Sequence, residues 1–191
     1  MAATTPTPTC KASDEYVAPA SPAAYVMWHI VKKGFQAGSV IGVAAVLPAM
    51  VLWKKVRDPT ALMRALGTSA VTGAAATGAL GALKFTTIDQ AGFEDRAYRL
   101  HYNKGQNRTD CFSFAGAFVG LAAAAVLLPR GVAGTTAGLY GMALVGGSAA
   151  GCALGVAAHV TAPEGCGMKC PRKCPKKVKQ PEGEQAKGEK A

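Results

Sequence analysis

The stretch 131–159 constrains this chain most, because it is apolar almost throughout and long enough to cross a lipid bilayer. About 20 consecutive apolar residues suffice for a transmembrane helix. Its glycines recur at helical spacing, at Gly134 and Gly138 and again at Gly147, Gly151 and Gly155. An interior glycine costs a water-exposed helix about 1 kcal/mol relative to alanine, whereas in a bilayer glycine lets a second helix approach closely. The stretch therefore predicts a transmembrane helix, and the alternative is a buried helix of a soluble protein.

Three further apolar segments, 34–53, 65–85 and 112–128, have the same character. The glycines that we expect at their helix contacts are Gly34, Gly38 and Gly42 in the first segment, Gly78 in the second, and Gly116 and Gly120 in the third. Only 7% of the residues are aromatic while 23 are glycine, and this balance suits thin helices packed backbone to backbone. The predicted fold class is an all-α membrane protein with four transmembrane helices and Gly-x-x-x-Gly packing.

The segments outside these spans differ from them in composition. We predict a flexible N-terminal arm at 1–24, a four-span domain at 25–160 with a polar loop at 86–111, and a disordered, basic C-terminal tail rich in Cys and Lys at 161–191. The start of the domain, 25–33, is either a short interfacial helix or the first turns of span one. Pro48 predicts a kink or a local break inside that span.

The polar loop contains a second helical pattern. Phe93, Ala97 and Leu100 have rough helical spacing among charged residues. This pattern predicts a short amphipathic helix that lies on the membrane or on a partner protein.

The net charge of +10 is often a sign of nucleic-acid binding. Here the basic residues flank apolar spans, and this arrangement favours the anionic headgroups of lipids instead. We therefore expect an anionic lipid such as cardiolipin as a candidate partner, and no nucleic acid.

No residue pattern in the chain indicates catalysis. The three histidines are scattered, no phosphate-binding loop is present, and the loop carboxylates are expected to pair with nearby arginines. Cys166, Cys170 and Cys174 are the sharpest chemical feature, but a zinc site needs four ligands and only three cysteines are local. We expect no metal, no cofactor and no enzymatic activity. A disulfide or a link to a partner is the chemical role that we assign to the three cysteines, and an unpaired, solvated tail is the alternative.

Several local motifs carry a resemblance to a known family. The sequence Phe85-Thr86-Thr87-Ile88-Asp89 ends the second span, Arg108 and Asp110 precede Ala115-Gly116 and Gly120 of the third, and Arg130-Gly131 forms a short basic turn before the fourth. Together with four glycine-bearing spans, these motifs resemble the four-span family of mitochondrial inner-membrane translocases (Tim). That family also includes an accessory subunit of respiratory complex I. The resemblance covers about 34–155, and it implies loop or interface roles for Asp89, Arg108, Asp110 and Arg130.

The resemblance implies a non-catalytic accessory subunit of a mitochondrial inner-membrane complex, with respiratory complex I as the first expectation. A component of the protein-import translocase is the alternative, and a small channel or transporter is the third. The implied location is the mitochondrial inner membrane with both termini in the intermembrane space. Because only Lys54, Lys55, Arg57, Arg64 and Arg130 fall on the opposite side, the positive-inside rule alone favours termini in the matrix. We follow the resemblance, since tail charges that lie far from the spans count little.

Overall fold

The computed structural model describes residue 16, residues 18–128 and residues 137–161, and all regular structure in these ranges is helical. The elements are α1 (Pro22–Ile41), a π-helical segment (Gly42–Val46), α2 (Leu47–Leu52), α3 (Pro59–Phe85), α4 (Gln90–Tyr102), α5 (Lys104–Leu127) and α6 (Ala137–Thr161). Four of these helical stretches are long and apolar enough to cross a membrane: Pro22–Leu52, Pro59–Phe85, Lys104–Leu127 and Gly138–Thr161. The prediction of an all-helical chain with four candidate spans is therefore confirmed.

The first span is longer than predicted, because its helix begins at Pro22 and not near residue 34. Ser21 caps it by accepting a hydrogen bond from the backbone N–H of Ala24. Residues 25–33 are thus the first turns of α1, and the separate interfacial helix is wrong. The local break predicted at Pro48 appears as the π-helical segment just before it, since proline provides no backbone N–H for the ordinary ladder.

The second and third spans also begin earlier than their apolar segments. Asp58 caps α3 by accepting from the backbone N–H groups of Thr60 and Ala61 at 3.3 and 2.9 Å. Asn103 caps α5 by accepting from the N–H of Gln106 at 3.1 Å. Hydropathy marks only the lipid-immersed part of a helix, and the capping residues show where each helix actually starts.

The predicted polar loop 86–111 is mostly helical. Asp89 caps α4 by accepting from the N–H of Gly92 at 3.0 Å, and Phe93 and Ala97 are buried as their spacing predicts. Phe93 packs against Phe85 with ring centroids 4.6 Å apart. Because α4 contacts α1, this helix lies on the bundle itself.

The helices pack in a fixed order in which α3 and α6 are central. α3 packs on α1 and on α6, and α6 packs on α3 and on α5. α1 and α5 are the two outer helices, and side chains from the middle of α1 reach the second turn of α5.

Candidate functional site

A buried ion cluster joins the two outer helices, between the middle of α1 and the second turn of α5. Asp110 of α5 is only 8% exposed. Lys32 donates to its Oδ2 at 3.1 Å, and Lys33 donates to its Oδ1 at 2.6 Å. Gln36 completes the cluster by donating to Oδ1 at 3.0 Å and by accepting from Lys33 at 3.0 Å. Two lysines face one carboxylate, so the cluster carries one excess positive charge.

The local helix geometry explains why these side chains converge. Lys32 and Gln36 are four residues apart and lie on one face of α1, and the long stem of Lys33 reaches around to the same point. A carboxylate at the edge of a bilayer is costly unless it is paired. The cluster therefore fastens the first span to the third.

A second polar layer lies beneath this cluster, between α1, α5 and α6. The Ser39 hydroxyl donates to the carbonyl oxygen of Phe35, and the Ser113 hydroxyl donates to that of Thr109, both at 2.7 Å. The buried free thiol of Cys152 lies within hydrogen-bonding reach of both hydroxyls. These three small polar side chains connect the three helices inside the bundle.

Glycines form the contact between α5 and α6. A Cβ atom on Gly116 would collide with the carbonyl of Gly151, and one on Gly151 would collide with that of Gly116. Gly120 and Gly147 face each other in the same way, and a Cβ on Gly155 would meet the carbonyl of Phe112. The two backbones touch along this seam.

A similar seam joins α1 and α3. Added Cβ atoms on Gly34 and Gly38 would meet the backbone carbonyls of Gly73 and Ser69 at 2.6 and 2.5 Å, and one on Gly42 would meet Leu66 Cδ2 at 3.0 Å. Gly78 has more room, since its nearest neighbour is Val31 Cγ2 at 3.3 Å.

The third seam, between α3 and α6, was missed by sequence reasoning. A Cβ on Gly67 would collide with the carbonyl of Met142, and one on Gly146 would collide with that of Met63. Neither glycine belongs to the four-residue spacings at which the sequence predicted helix contacts. Their contact role becomes visible only when the packing of α3 against α6 is known.

The remaining predicted site residues are not brought to the ion cluster. Asp89 serves as the cap of α4, and the guanidinium of Arg108 lies 5.7 Å from the ring centroid of Phe112. Arg130, Cys166, Cys170 and Cys174 lie outside the described residues. In the described ranges, no three His, Cys, Asp or Glu side chains are grouped so that they could hold a metal ion.

A disulfide bond lies next to the cluster in sequence. Cys111 is disulfide-bonded, whereas Cys152 has a free thiol. These are the two cysteines in the described part of the chain.

Aromatic side chains form a cluster at the C-terminal end of α4. Tyr16 packs edge-on against Tyr98 and His101, with ring centroids 5.3 and 5.4 Å away. Burial raises the pKa of the Tyr16 hydroxyl above its usual value, and Tyr25 and Glu94 add to this rise. The hydroxyl therefore stays protonated at neutral pH, and the group acts as a packing contact.

Beside the ion cluster, α1 and α5 leave a groove of about 450 Å³ between them, and Ser148 and Cys152 of α6 line its base. Trp28 and Phe35 line one wall, and Phe114 and Phe118 line the other. Most of the lining is apolar, and its polar residues are Lys32, Gln36, Ser113, Ser148 and Cys152.

Comparison with known proteins places the chain in a family. The profile described as "Protein of unknown function (DUF1757)" matches residues 13–158. The chain belongs to this family. The match covers the described helices almost completely, so the ion cluster, the glycine seams and the groove all fall within the DUF1757 region. No curated protein and no solved structure matches the chain.

Proposed function

We propose that this DUF1757 protein is a non-catalytic, structural subunit of a large complex of the mitochondrial inner membrane, and that the complex is respiratory complex I (NADH:ubiquinone oxidoreductase). Its role is to support assembly and stability by lodging among other membrane subunits. The resemblance of the span-end motifs to the Tim family suggests the compartment and the complex.

The proposal rests on one observation: the buried polar residues and the glycines of the bundle contact other residues of the same chain. Ionisable groups inside a membrane usually mark transport paths or reaction sites. Here Asp110 bonds to Lys32, Lys33 and Gln36 within the same chain. The glycines at the α5–α6 contact are likewise used to join this chain's own helices. A bundle fastened in this way suits a rigid scaffold better than a moving transporter.

The outer surface of the bundle has exposed apolar and charged residues that could contact other subunits. Large apolar side chains such as Trp53, Phe118 and Leu127 are more than three-quarters exposed. On α4 the charged residues Glu94 and Arg96 face outward at the membrane edge. Apolar faces within the membrane and a charged helix beside it are what a subunit wedged between membrane proteins would present.

The Cys111 disulfide supports the proposed orientation. Disulfides form and persist in oxidising compartments. Cys111 lies near the start of α5, on the same side of the bundle as α4 and the start of α1. We propose that this side faces the intermembrane space, with the termini, and that the turn at Lys54 and Lys55 faces the matrix.

Native gel electrophoresis of digitonin-solubilised mitochondria tests the proposal. A tagged copy of the protein is expected to comigrate with NADH dehydrogenase activity, and its depletion should reduce the amount of the assembled complex. Comigration with translocase components, without NADH dehydrogenase activity, would exclude the complex I assignment.

One observation favours a component of the protein-import translocase as the second candidate. A translocase needs a groove that faces lipid and carries polar groups, and the groove between α1 and α5 has Gln36, Ser113 and Ser148 along it. Import of carrier proteins into mitochondria depleted of the chain decides between the two roles. Normal import would remove this candidate. The third candidate, a small channel, requires ion flux through the purified, reconstituted protein.

A further inference from the structure

The groove between α1 and α5 has walls that nothing in the described chain covers. Trp28 is 60% exposed and Phe118 is 78% exposed, although both lie along its apolar lining. We propose that this groove is a binding site for one anionic phospholipid, with an acyl chain between α1 and α5 and the phosphate at Lys32. The proposal goes beyond the subunit role and does not depend on which complex holds the protein.

The length of the groove fits a lipid better than a protein helix. Its walls run from Trp28 to Gln36 on α1 and from Ser113 to Leu121 on α5. Each wall covers eight helical steps, or about 12 Å at 1.5 Å per residue. This is close to half of the hydrocarbon core of about 30 Å. An acyl chain of a single leaflet fills such a length, whereas a transmembrane helix would need a groove across the whole bilayer.

The charge around the groove selects an anionic headgroup. α1 carries no acidic residue, and Asp110 is the single acidic residue of α5. The same two helices carry Lys32, Lys33, Lys104 and Arg108 near this end. The excess of basic over acidic groups attracts anionic headgroups at the membrane surface.

The hydrogen bonds of the cluster identify Lys32 as the phosphate ligand. Lys33 directs two of its three donors into the cluster, to Asp110 and Gln36. Lys32 directs one donor to Asp110. Its ammonium lies 5.7 Å from the ring centroid of Phe114, which lines the groove. Lys32 therefore lines the groove midway along its α1 wall, next to Phe114, and has donor capacity left for a phosphate oxygen.

Native mass spectrometry of the purified full-length protein tests the headgroup site. The protein is released from micelles that contain equal amounts of phosphatidylglycerol and phosphatidylcholine with identical acyl chains. Wild-type protein is expected to retain more phosphatidylglycerol, and Lys32→Gln should lower this preference about five-fold, which corresponds to about 1 kcal/mol for one lysine at an anionic surface. Lys32→Arg should keep the preference. Lys54→Gln, on the exposed turn at the opposite end, is the matched control and should also keep it.

Two results would overturn the headgroup site. One is equal retention of the two lipids by wild-type protein. The other is an unchanged preference in Lys32→Gln.

The acyl-chain site is tested by filling the groove. Ala117 lines it, so Ala117→Phe is expected to reduce retention of both lipids about five-fold. Ala122→Phe adds the same ring on an exposed face of the same helix and should have no effect. Retention at the wild-type level by a monodisperse Ala117→Phe protein would overturn the acyl-chain site.

Fluorescence quenching gives a second test that needs no change in the groove. The chain has two tryptophans, so Trp53→Phe leaves Trp28 as the single emitter. Brominated phosphatidylglycerol is expected to quench Trp28 more than brominated phosphatidylcholine does, and Lys32→Gln should remove the difference. Equal quenching by both lipids would overturn the proposal. Because these assays use the isolated protein, their failure would leave the proposed subunit role untouched.

Discussion

At the scale of single residues, Asp110 links the outer helices α1 and α5 through side-chain hydrogen bonds. Its carboxylate is the shared acceptor for Lys32, Lys33 and Gln36. Breaking a buried ion pair on one side is strongly destabilising, because it leaves charge that is neither solvated nor matched. The cluster therefore links the first span to the third beside the groove.

Asp110→Asn is expected to lower the free energy of unfolding by about 3 kcal/mol, since both lysines lose their counter-charge in a largely buried setting. Chemical unfolding of the purified protein in detergent measures the change. Asp95→Asn is the matched control, because Asp95 pairs with Arg99 on an exposed face at 3.0 Å and should cost less than about 1 kcal/mol. Equal effects of the two substitutions would contradict the fastening role.

Sequence reasoning reached one member of this cluster and missed the others. Asp110 was singled out by the resemblance of the third-span entry to the Tim family, which implies a loop or interface role for it. The partners lie 74 to 78 residues earlier in the chain, and no local pattern indicates which helix packs beside α5. From the sequence alone, Lys32 and Lys33 could equally be residues that lie at the level of the lipid headgroups.

At the scale of helices, backbone contact determines where glycine is required. Gly151 is the clearest case, because its missing side chain makes room for the carbonyl of Gly116. Gly138 lies on the same helix, yet nothing lies within 4 Å of the position where its Cβ would be. Glycine spacing alone therefore predicts that a helix has a smooth face, but the position of the neighbouring helix decides which glycines matter.

Gly151→Leu is expected to destabilise the protein by more than about 3 kcal/mol, because a branched side chain forces α5 and α6 apart. The measurements are unfolding in detergent and assembly on native gels. Gly138→Leu provides the control on the same helix and should change stability by less than about 0.5 kcal/mol. Wild-type stability and assembly in Gly151→Leu would show that α5 and α6 do not touch at this point.

The helix ends show that hydropathy alone does not locate the start of a helix. The sequence analysis began the third span at residue 112, but Asn103 caps α5 and the helix begins at Lys104. The first two turns of α5 are polar because they stand at the membrane edge, where α5 forms the ion cluster. Composition could not separate these turns from a loop, whereas the spacing of Phe93 and Ala97 did predict α4 correctly.

At the scale of the whole molecule, one end of the bundle carries most of the chemistry. The ion cluster, the groove, α4 and the Cys111 disulfide all lie towards the end where α1 and α5 begin. The opposite end carries the exposed turn from Lys54 to Arg57. This asymmetry gives the two ends of the bundle different chemical characters, and both ends can be probed in the compartment that we propose.

Because Cys111 is disulfide-bonded, it should not be alkylated until a reductant has cleaved the disulfide. Isolated mitochondria are treated with N-ethylmaleimide under denaturing conditions, and the peptide that contains Cys111 is then examined with and without dithiothreitol pretreatment. Cys152 serves as the internal control, because its free thiol should react in the denatured protein under both conditions. Modification of Cys111 without reductant would rule out the disulfide and would remove one support for the proposed orientation.

Limited trypsin digestion reports the orientation of the bundle directly. Arg99 is exposed on α4, with 76% of its side chain accessible, and Lys54 and Lys55 are exposed at the opposite end. If the α4 side faces the intermembrane space, trypsin should cut near Arg99 once the outer membrane is ruptured, while the Lys54–Lys55 turn should stay protected until detergent opens the inner membrane. Arg99→Gln and Lys55→Gln variants assign the fragments to their sites. Cleavage at Lys54–Lys55 in ruptured mitochondria, with α4 protected, would place the termini in the matrix, as the distribution of Lys and Arg alone favours.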